Sequence, residues 1–196
     1  MLERKTLAGL KLQQLFAMPL AVCVLFFSGI VAAEEYEMKG RVVYFGGSVG
    51  IPKVKVEVKY SKEGVPRITR ETNGNGEYSF KVPVYQERVW ITYTPENPSD
   101  LTGAARDEGV PNSANPKDLD TIGLVRKRQA CGDKVAARTA AWNSLRYVMT
   151  GGQPTVAEQF FKGLYLEKCS MMVEVLKEDQ SLAQALRMKG IRTWTE

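Results

Sequence analysis

Few side chains in this 196-residue chain are equipped for covalent or metal chemistry. There are three cysteines, Cys23, Cys131 and Cys169, and no histidine. Without histidine, neither a Ser-His-Asp nor a Cys-His nucleophile can be assembled, and no histidine-ligated zinc site can form. The acidic pairs Asp107/Glu108 and Asp118/Asp120 are of the type used in acid–base catalysis. They fall in a loop-rich stretch with no accompanying nucleophile and base, and no phosphate-binding loop appears. Asn73, Asn75 and Glu77 have the alternate spacing of a calcium loop, but only one is a carboxylate, so a hairpin turn is expected instead. An internal lysine–asparagine crosslink would need Lys39 or Lys55 beside Asn112 or Asn115. Lys55 lies on the polar face of its strand, so solvated lysines are expected. The short cluster Arg126-Lys127-Arg128 is too small to define a nucleic-acid surface. These residues predict a protein that is not an enzyme, with no catalytic residue, no metal and no cofactor.

Binding is better represented than catalysis. Trp90 falls on the strand face opposite Val89 and Ile91, with Thr92 and Thr94 beside it. An exposed indole stacks on a sugar ring or anchors a protein partner, and it equally packs beneath a neighbouring segment. Trp90, Thr92 and Thr94 are therefore the candidate binding residues.

The N-terminus reads as an export signal. Arg4, Lys5 and Lys11 precede an apolar run from Leu15 to Val31, and Val31-Ala32-Ala33 supplies small residues for cleavage. Residues 1–33 are expected to be a signal peptide cleaved after Ala33. The run is short for the roughly 20 apolar residues of a membrane anchor. Lipoprotein processing at Cys23 is disfavoured by the bulk of Val22. The predicted location is secreted or periplasmic, with no stable membrane span after cleavage. The remaining 163 residues carry 24 basic and 21 acidic side chains. That near balance does not point to nucleic acid or to an anionic membrane. Cleavage leaves Cys131 and Cys169, which in an oxidising compartment are expected to form a disulfide, two buried free thiols being the alternative.

The elements that position these residues divide the chain in two. From Tyr36 to about Arg128 the pattern has period two. Val54, Val56, Val58 and Tyr60 alternate with Lys53, Lys55, Glu57 and Lys59, as a half-buried strand requires. Met38, Val42 and Tyr44 mark an earlier strand. Tyr78, Phe80 and Val82 mark a later one, followed by Val89, Ile91 and Tyr93, and Thr121 to Arg126 closes the set. Asn73-Gly74-Asn75-Gly76 is a hairpin signal. Pro95 to Asp118 is expected to be a long irregular loop. Short strands at this spacing indicate a sandwich or barrel.

From Ala130 the period becomes helical. Cys131, Val135, Trp142, Leu145 and Met149 form one stripe, interrupted by Arg138. Phe161, Tyr165, Cys169, Met172 and Leu176 form a second, after a break at Thr150 to Pro154. Helices near 131–149 and 155–176 are predicted to pack antiparallel as a hairpin. Both cysteines then lie on the apolar stripes, about 6 Å out of step along the axis, close enough for a disulfide to staple the pair. Leu182 to Met188 marks a short third helix. Of Phe160 and Phe161, one ring is expected off the helical seam.

Three segments carry a family resemblance. They are Lys39-Gly40-Arg41-Val42, then Gly50-Ile51-Pro52-Lys53-Val54-Lys55-Val56-Glu57-Val58, then Thr72-Asn73-Gly74-Asn75-Gly76-Glu77-Tyr78-Ser79-Phe80-Lys81-Val82-Pro83. Together they resemble the carboxypeptidase regulatory-like domain, a transthyretin-like β-sandwich. The match covers residues 36–95 and, more loosely, the strand at 120–127. The resemblance implies a non-catalytic module that stabilises, spaces or binds. The expected architecture is α+β: a transthyretin-like antiparallel β-sandwich over 34–128, followed by a C-terminal α-helical hairpin in a tail over 129–196. The expected function is an exported accessory module contacting a protein or cell-envelope partner. The alternative is a carbohydrate-binding module using Trp90 and the 95–118 loop.

Overall fold

The computed structural model describes residues 35–83, 86–110 and 117–194. Residues 1–33, where a signal peptide is expected, and Asn112 and Asn115 of the crosslink considered above lie outside these residues. The architecture is α+β: two sheets face each other and a set of helices follows. β1 (Glu35–Tyr44), β4 (Glu77–Pro83), β7 (Lys117–Asp118) and β8 (Ile122–Leu124) form one sheet. β3 (Ile68–Glu71), β2 (Lys55–Tyr60), β5 (Arg88–Thr94) and β6 (Ala104–Gly109) form the other, in that order. Pairing is antiparallel except at β7 and β8, which run parallel to β1. β7 lies across β1 from β4.

Alternation sets the core. Met38, Val42, Val54, Val56, Val58, Phe80, Val82, Val89, Ile91 and Tyr93 are buried between the sheets. Each aliphatic side chain so buried contributes about 1.5–3 kcal/mol relative to exposure.

The Thr72–Glu77 segment shows why its residue types recur together. The Thr72 hydroxyl, itself buried, donates to the Ile51 carbonyl at 2.6 Å and accepts from the Val54 amide at 2.9 Å. It thereby ties the hairpin to the preceding loop. The Asn73 carboxamide oxygen accepts from the amides of Asn75 and Glu77, both at 2.9 Å, which closes the turn. Gly76 has φ +76°, and a Cβ there would lie 2.2 Å from the Val42 carbonyl oxygen. A Cβ on Gly50 would lie 1.9 Å from the Asn75 carbonyl oxygen, so the two glycines let these backbones touch.

Two strands lie within the expected 95–118 loop, β6 and the short β7. β6 runs from Ala104 to Gly109 and pairs with β5 from Tyr93↔Ala104 to Arg88↔Gly109. Its sequence, Ala-Ala-Arg-Asp-Glu-Gly, carries no apolar alternation. The positions facing the sandwich are Ala104, Arg106 and Glu108; the last two lie 3.4 Å apart as an ion pair, Arg106 also donates to the Asp120 carbonyl at 2.6 Å, and Glu108 accepts from Lys117 at 3.0 Å.

The tail is more divided than a hairpin. It comprises α1 (Lys127–Gly132), α2 (Lys134–Met149), α3 (Pro154–Leu166), α4 (Ser170–Glu178) and α5 (Gln180–Met188). The helix expected over 155–176 breaks at Lys168, whose φ of +55° is left-handed, and Cys169 then caps α4. The expected seam of α2 is also corrected. Val135, Trp142 and Met149 are 64%, 43% and 62% exposed, while Ala136, Ala137, Ala140, Ala141, Ser144, Leu145 and Tyr147 are buried. α2 contacts β6 on one side and α1, α3, α4 and α5 on others. Alanines permit that crowding because they keep the backbones close. Phe160 and Phe161 are both fully buried, their rings edge to face with centroids 6.1 Å apart.

The tail is fastened to the sandwich by specific bonds. Gln129 Nε2 donates to the Phe45 carbonyl at 2.8 Å, and Asn143 Nδ2 to the Gly123 carbonyl at 3.2 Å. The Lys127 amide donates to the Asp100 carbonyl at 2.7 Å. Tyr147, wedged beside Gly103 and Gly152, shares a 2.8 Å hydrogen bond with the Thr94 hydroxyl. Ala33–Glu196 accordingly forms one compact unit.

Candidate functional site

The candidate binding residues on β5 meet different fates. Thr92 is buried, and the Thr94 hydroxyl is engaged by Tyr147. The face that holds them is covered by α2, so neither offers a free polar group. Trp90 is half-buried. It lines a cleft of about 560 Å3 whose other walls include Lys59, Ser61, Lys62, Arg67 and Met149. The structure therefore separates the three residues that strand periodicity had grouped.

Met149 leads from that cleft onto α2. Val135, Trp142 and Met149 recur every seven residues, so they fall on nearly one line along the helix, drifting about 20° per repeat. Arg138 and Arg146 lie on the same face. Arg138 is 3.5 Å from Glu178, whereas Arg146 forms no ion pair among the described residues. The outcome is an exposed apolar stripe with a basic character. Sequence reasoning noted the stripe but assigned it to the core. The overlooked signal was the pair of alanine doublets, 136–137 and 140–141, four residues apart on the opposite face.

The disulfide is formed between Cys131 and Cys169. It ties α1 to the start of α4, across the break between α3 and α4, instead of joining the bodies of two long helices. Next to it lies a groove of about 520 Å3 lined by Phe161, Leu164, Tyr165, Leu166, Met172 and Trp194 among others.

Inside the sandwich, the Tyr78 and Tyr93 hydroxyls are 2.6 Å apart. Burial pushes the Tyr93 phenol well above its ordinary range and raises Tyr78 as well, against the opposing effect of the hydrogen bond between them on Tyr78. Burial also raises Tyr147, partly offset by its bond to Thr94. Both Tyr78 and Tyr93 are therefore protonated at neutral pH and act as hydrogen-bonding core residues.

The remaining chemical candidates have structural partners. Asp107 pairs with Arg88 at 3.1 Å and Glu108 with Lys117 at 3.0 Å, while Asp118 and Asp120 are exposed. Lys39 and Lys55 pair with Glu37 and Glu57 on the strand surfaces. The Arg126 guanidinium stacks 3.4 Å from the Tyr44 ring centroid, and Lys127 pairs with Glu167. Among the described residues no cluster of three or more cysteine, aspartate or glutamate side chains could hold a metal ion. No helix among them is long and apolar enough to cross a membrane.

No protein-family model matches the chain, and no curated protein matches it. Solved structures with partial likeness include a DUF3823 family protein from Parabacteroides merdae, at 16% identity over 48% of this chain and 46% of that one, with a TM-score of 0.34. The Bacillus anthracis TIE protein matches at 13% identity over 47% of this chain and 17% of that one, with a TM-score of 0.37. S.CueP matches at 12% identity over 47% and 64%, with a TM-score of 0.33. The chain spans less than two thirds of each of these structures.

Proposed function

We propose that this chain is an exported, non-catalytic accessory module whose sandwich, of the carboxypeptidase regulatory-like kind, holds a helical platform against a protein partner in the cell envelope. The observation that carries the reading is the outward stripe of α2. Three large apolar side chains at heptad spacing stay exposed on a helix whose other face is fully packed. An exposed a-type heptad seam fits a second helix, and Arg138 and Arg146 make an acidic amphipathic helix the complementary partner. The basic, apolar and small-residue order of residues 1–33 and the Cys131–Cys169 bond support work in an oxidising compartment.

The test is crosslinking in the native envelope fraction, comparing the mature protein with a Val135→Asp/Trp142→Asp variant. Both substitutions are on the surface and leave the core intact. The expected result is a crosslink from α2 to an acidic helix of one protein, lost in the variant. Equal capture of that protein by both forms would refute the assignment. A second reading, carbohydrate binding, is favoured by the position of Trp90 in the wall of a polar cleft. Glycan binding abolished by Trp90→Ala and unaffected by the α2 variant would select it.

A further inference from the structure

We propose that the groove between α3 and α4 binds a single-chain anionic amphiphile, a long-chain carboxylate, with its aliphatic chain against Tyr165, Leu166, Val173 and Trp194 and its head group at Lys168. This site is separate from the α2 stripe and does not depend on it.

The groove follows from the chain path. α3 stops at Leu166, Lys168 turns the backbone through a left-handed conformation, and the disulfide holds Cys169 where α4 begins. The two helix ends therefore part instead of closing on each other, and Trp194 lines the gap from the C-terminal run. Its volume of about 520 Å3 lies within the roughly 300–1,000 Å3 of small-ligand sites. Its walls are mostly apolar, and Tyr165 and Leu166 remain 54% and 69% exposed at the rim. An aliphatic chain would cover them.

The electrostatics select the sign of the head group. No carboxylate is among the described residues lining the groove. Lys168 makes no ion pair among the described residues. The first turn of α4 has no acidic residue, and Cys169 supplies no side-chain cap to its amides. Outside the lining, Arg192 lies 5.2 Å from the centre of the Trp194 ring, and its amide donates to the Glu158 carboxylate at 3.1 Å. An apolar trough with Lys168 in its wall and no carboxylate among its described lining residues matches an amphiphile with a carboxylate head.

Trp194 makes the site measurable. In a Trp90→Phe/Trp142→Phe background its emission reports the groove alone. Titration with dodecanoate below micelle-forming concentrations is expected to give a saturable one-to-one shift. Affinity should fall about tenfold for each two methylenes removed from the chain. Lys168→Asn, which keeps a residue tolerant of the left-handed conformation, should weaken dodecanoate about two- to fivefold and leave neutral dodecyl maltoside unchanged. Val173→Trp, filling the groove from a partly exposed position, should abolish binding while the circular dichroism spectrum stays native. No saturable response to dodecanoate would overturn the proposal. So would equal binding of dodecyl maltoside with no effect of Lys168→Asn, or unaltered binding by Val173→Trp. None of these results would bear on the α2 crosslink.

Discussion

Breaking the Cys131–Cys169 bond is expected to remove about 4 kcal/mol of stability. The bridge spans 38 residues. The chain-entropy relation assigns a loop of that length roughly 13 cal/mol/K of lost denatured-state entropy, or about 4 kcal/mol at 25 °C, within the 2–5 kcal/mol typical of native disulfides. That is a large share of the roughly 5–15 kcal/mol that holds a domain folded. The perturbation is a Cys131→Ser/Cys169→Ser double variant, and the assay is urea unfolding followed by tryptophan fluorescence and far-ultraviolet circular dichroism. With a denaturant slope near 2 kcal/mol/M, the midpoint should fall by about 2 M.

The loss should also be uneven in the native state. α1 keeps its bond from Gln129 to Phe45, so it stays on the sandwich. α4 loses its covalent link and is left with its packing and the ion pairs of Glu178 with Lys134 and Arg138. Hydrogen exchange should therefore accelerate more over 170–188 than in β2 or β5. A midpoint shift below about 0.3 M, or uniform acceleration across both halves, would refute this reasoning. Two titratable thiols in the native protein would remove its premise.

Three further outcomes follow from the sandwich. Thr72→Val leaves the Ile51 carbonyl and the Val54 amide without their partner and should cost about 2–4 kcal/mol by denaturant unfolding, with Thr72→Ser recovering most of it. Gly76→Ala combines a left-handed backbone with a Cβ placed against the Val42 carbonyl, so a loss of about 2–5 kcal/mol is expected; a thermal midpoint equal to that of the parent would contradict the geometry. Because the folded-state phenols of Tyr78 and Tyr93 are raised, these groups leave stability unchanged up to the ordinary tyrosine range near 10. Above it the unfolded chain ionises first and binds fewer protons, so stability falls as pH rises. Ultraviolet titration should show these two phenols ionising only as the fold is lost, and normal ionisation of all eight tyrosines with structure retained would contradict it.

The sandwich was legible wherever one strand face meets water and the other the core. The Val54–Val56–Val58 run and the Thr72–Glu77 turn announce themselves because burial and turn geometry each demand a residue type. β6 was not legible, since its inward positions are filled by alanine and a self-neutralising Arg106–Glu108 pair that hydropathy scores as loop. α2 was misread for a related reason. A helix enclosed by a sheet and four helices needs small side chains, and alanine contributes little to an apolar stripe. The larger Val135, Trp142 and Met149 dominated the pattern where the helix has no neighbour among the described residues. The break at Lys168 was hidden because a left-handed lysine has no compositional signature.

The same close packing bears on where binding can occur. The outer face of β5 and β6 presents Thr92, Thr94 and Ala105, residues small enough for α2 to settle against them, and Tyr147 locks the contact through Thr94. That end of the face is consumed internally, and Trp90 at the other end reaches an open cleft. The outer face of β1 and β4 carries charges that pair with one another, as in Lys39–Glu37 and Lys81–Glu35, and exposed pairs of that kind contribute little to stability. Large unsatisfied apolar surface is left on the helices, along α2 and around the α3–α4 groove. The sandwich thus serves as the rigid base, and the disulfide, by fixing Cys169 at the edge of that groove, makes the shape of the second surface depend on an oxidising environment.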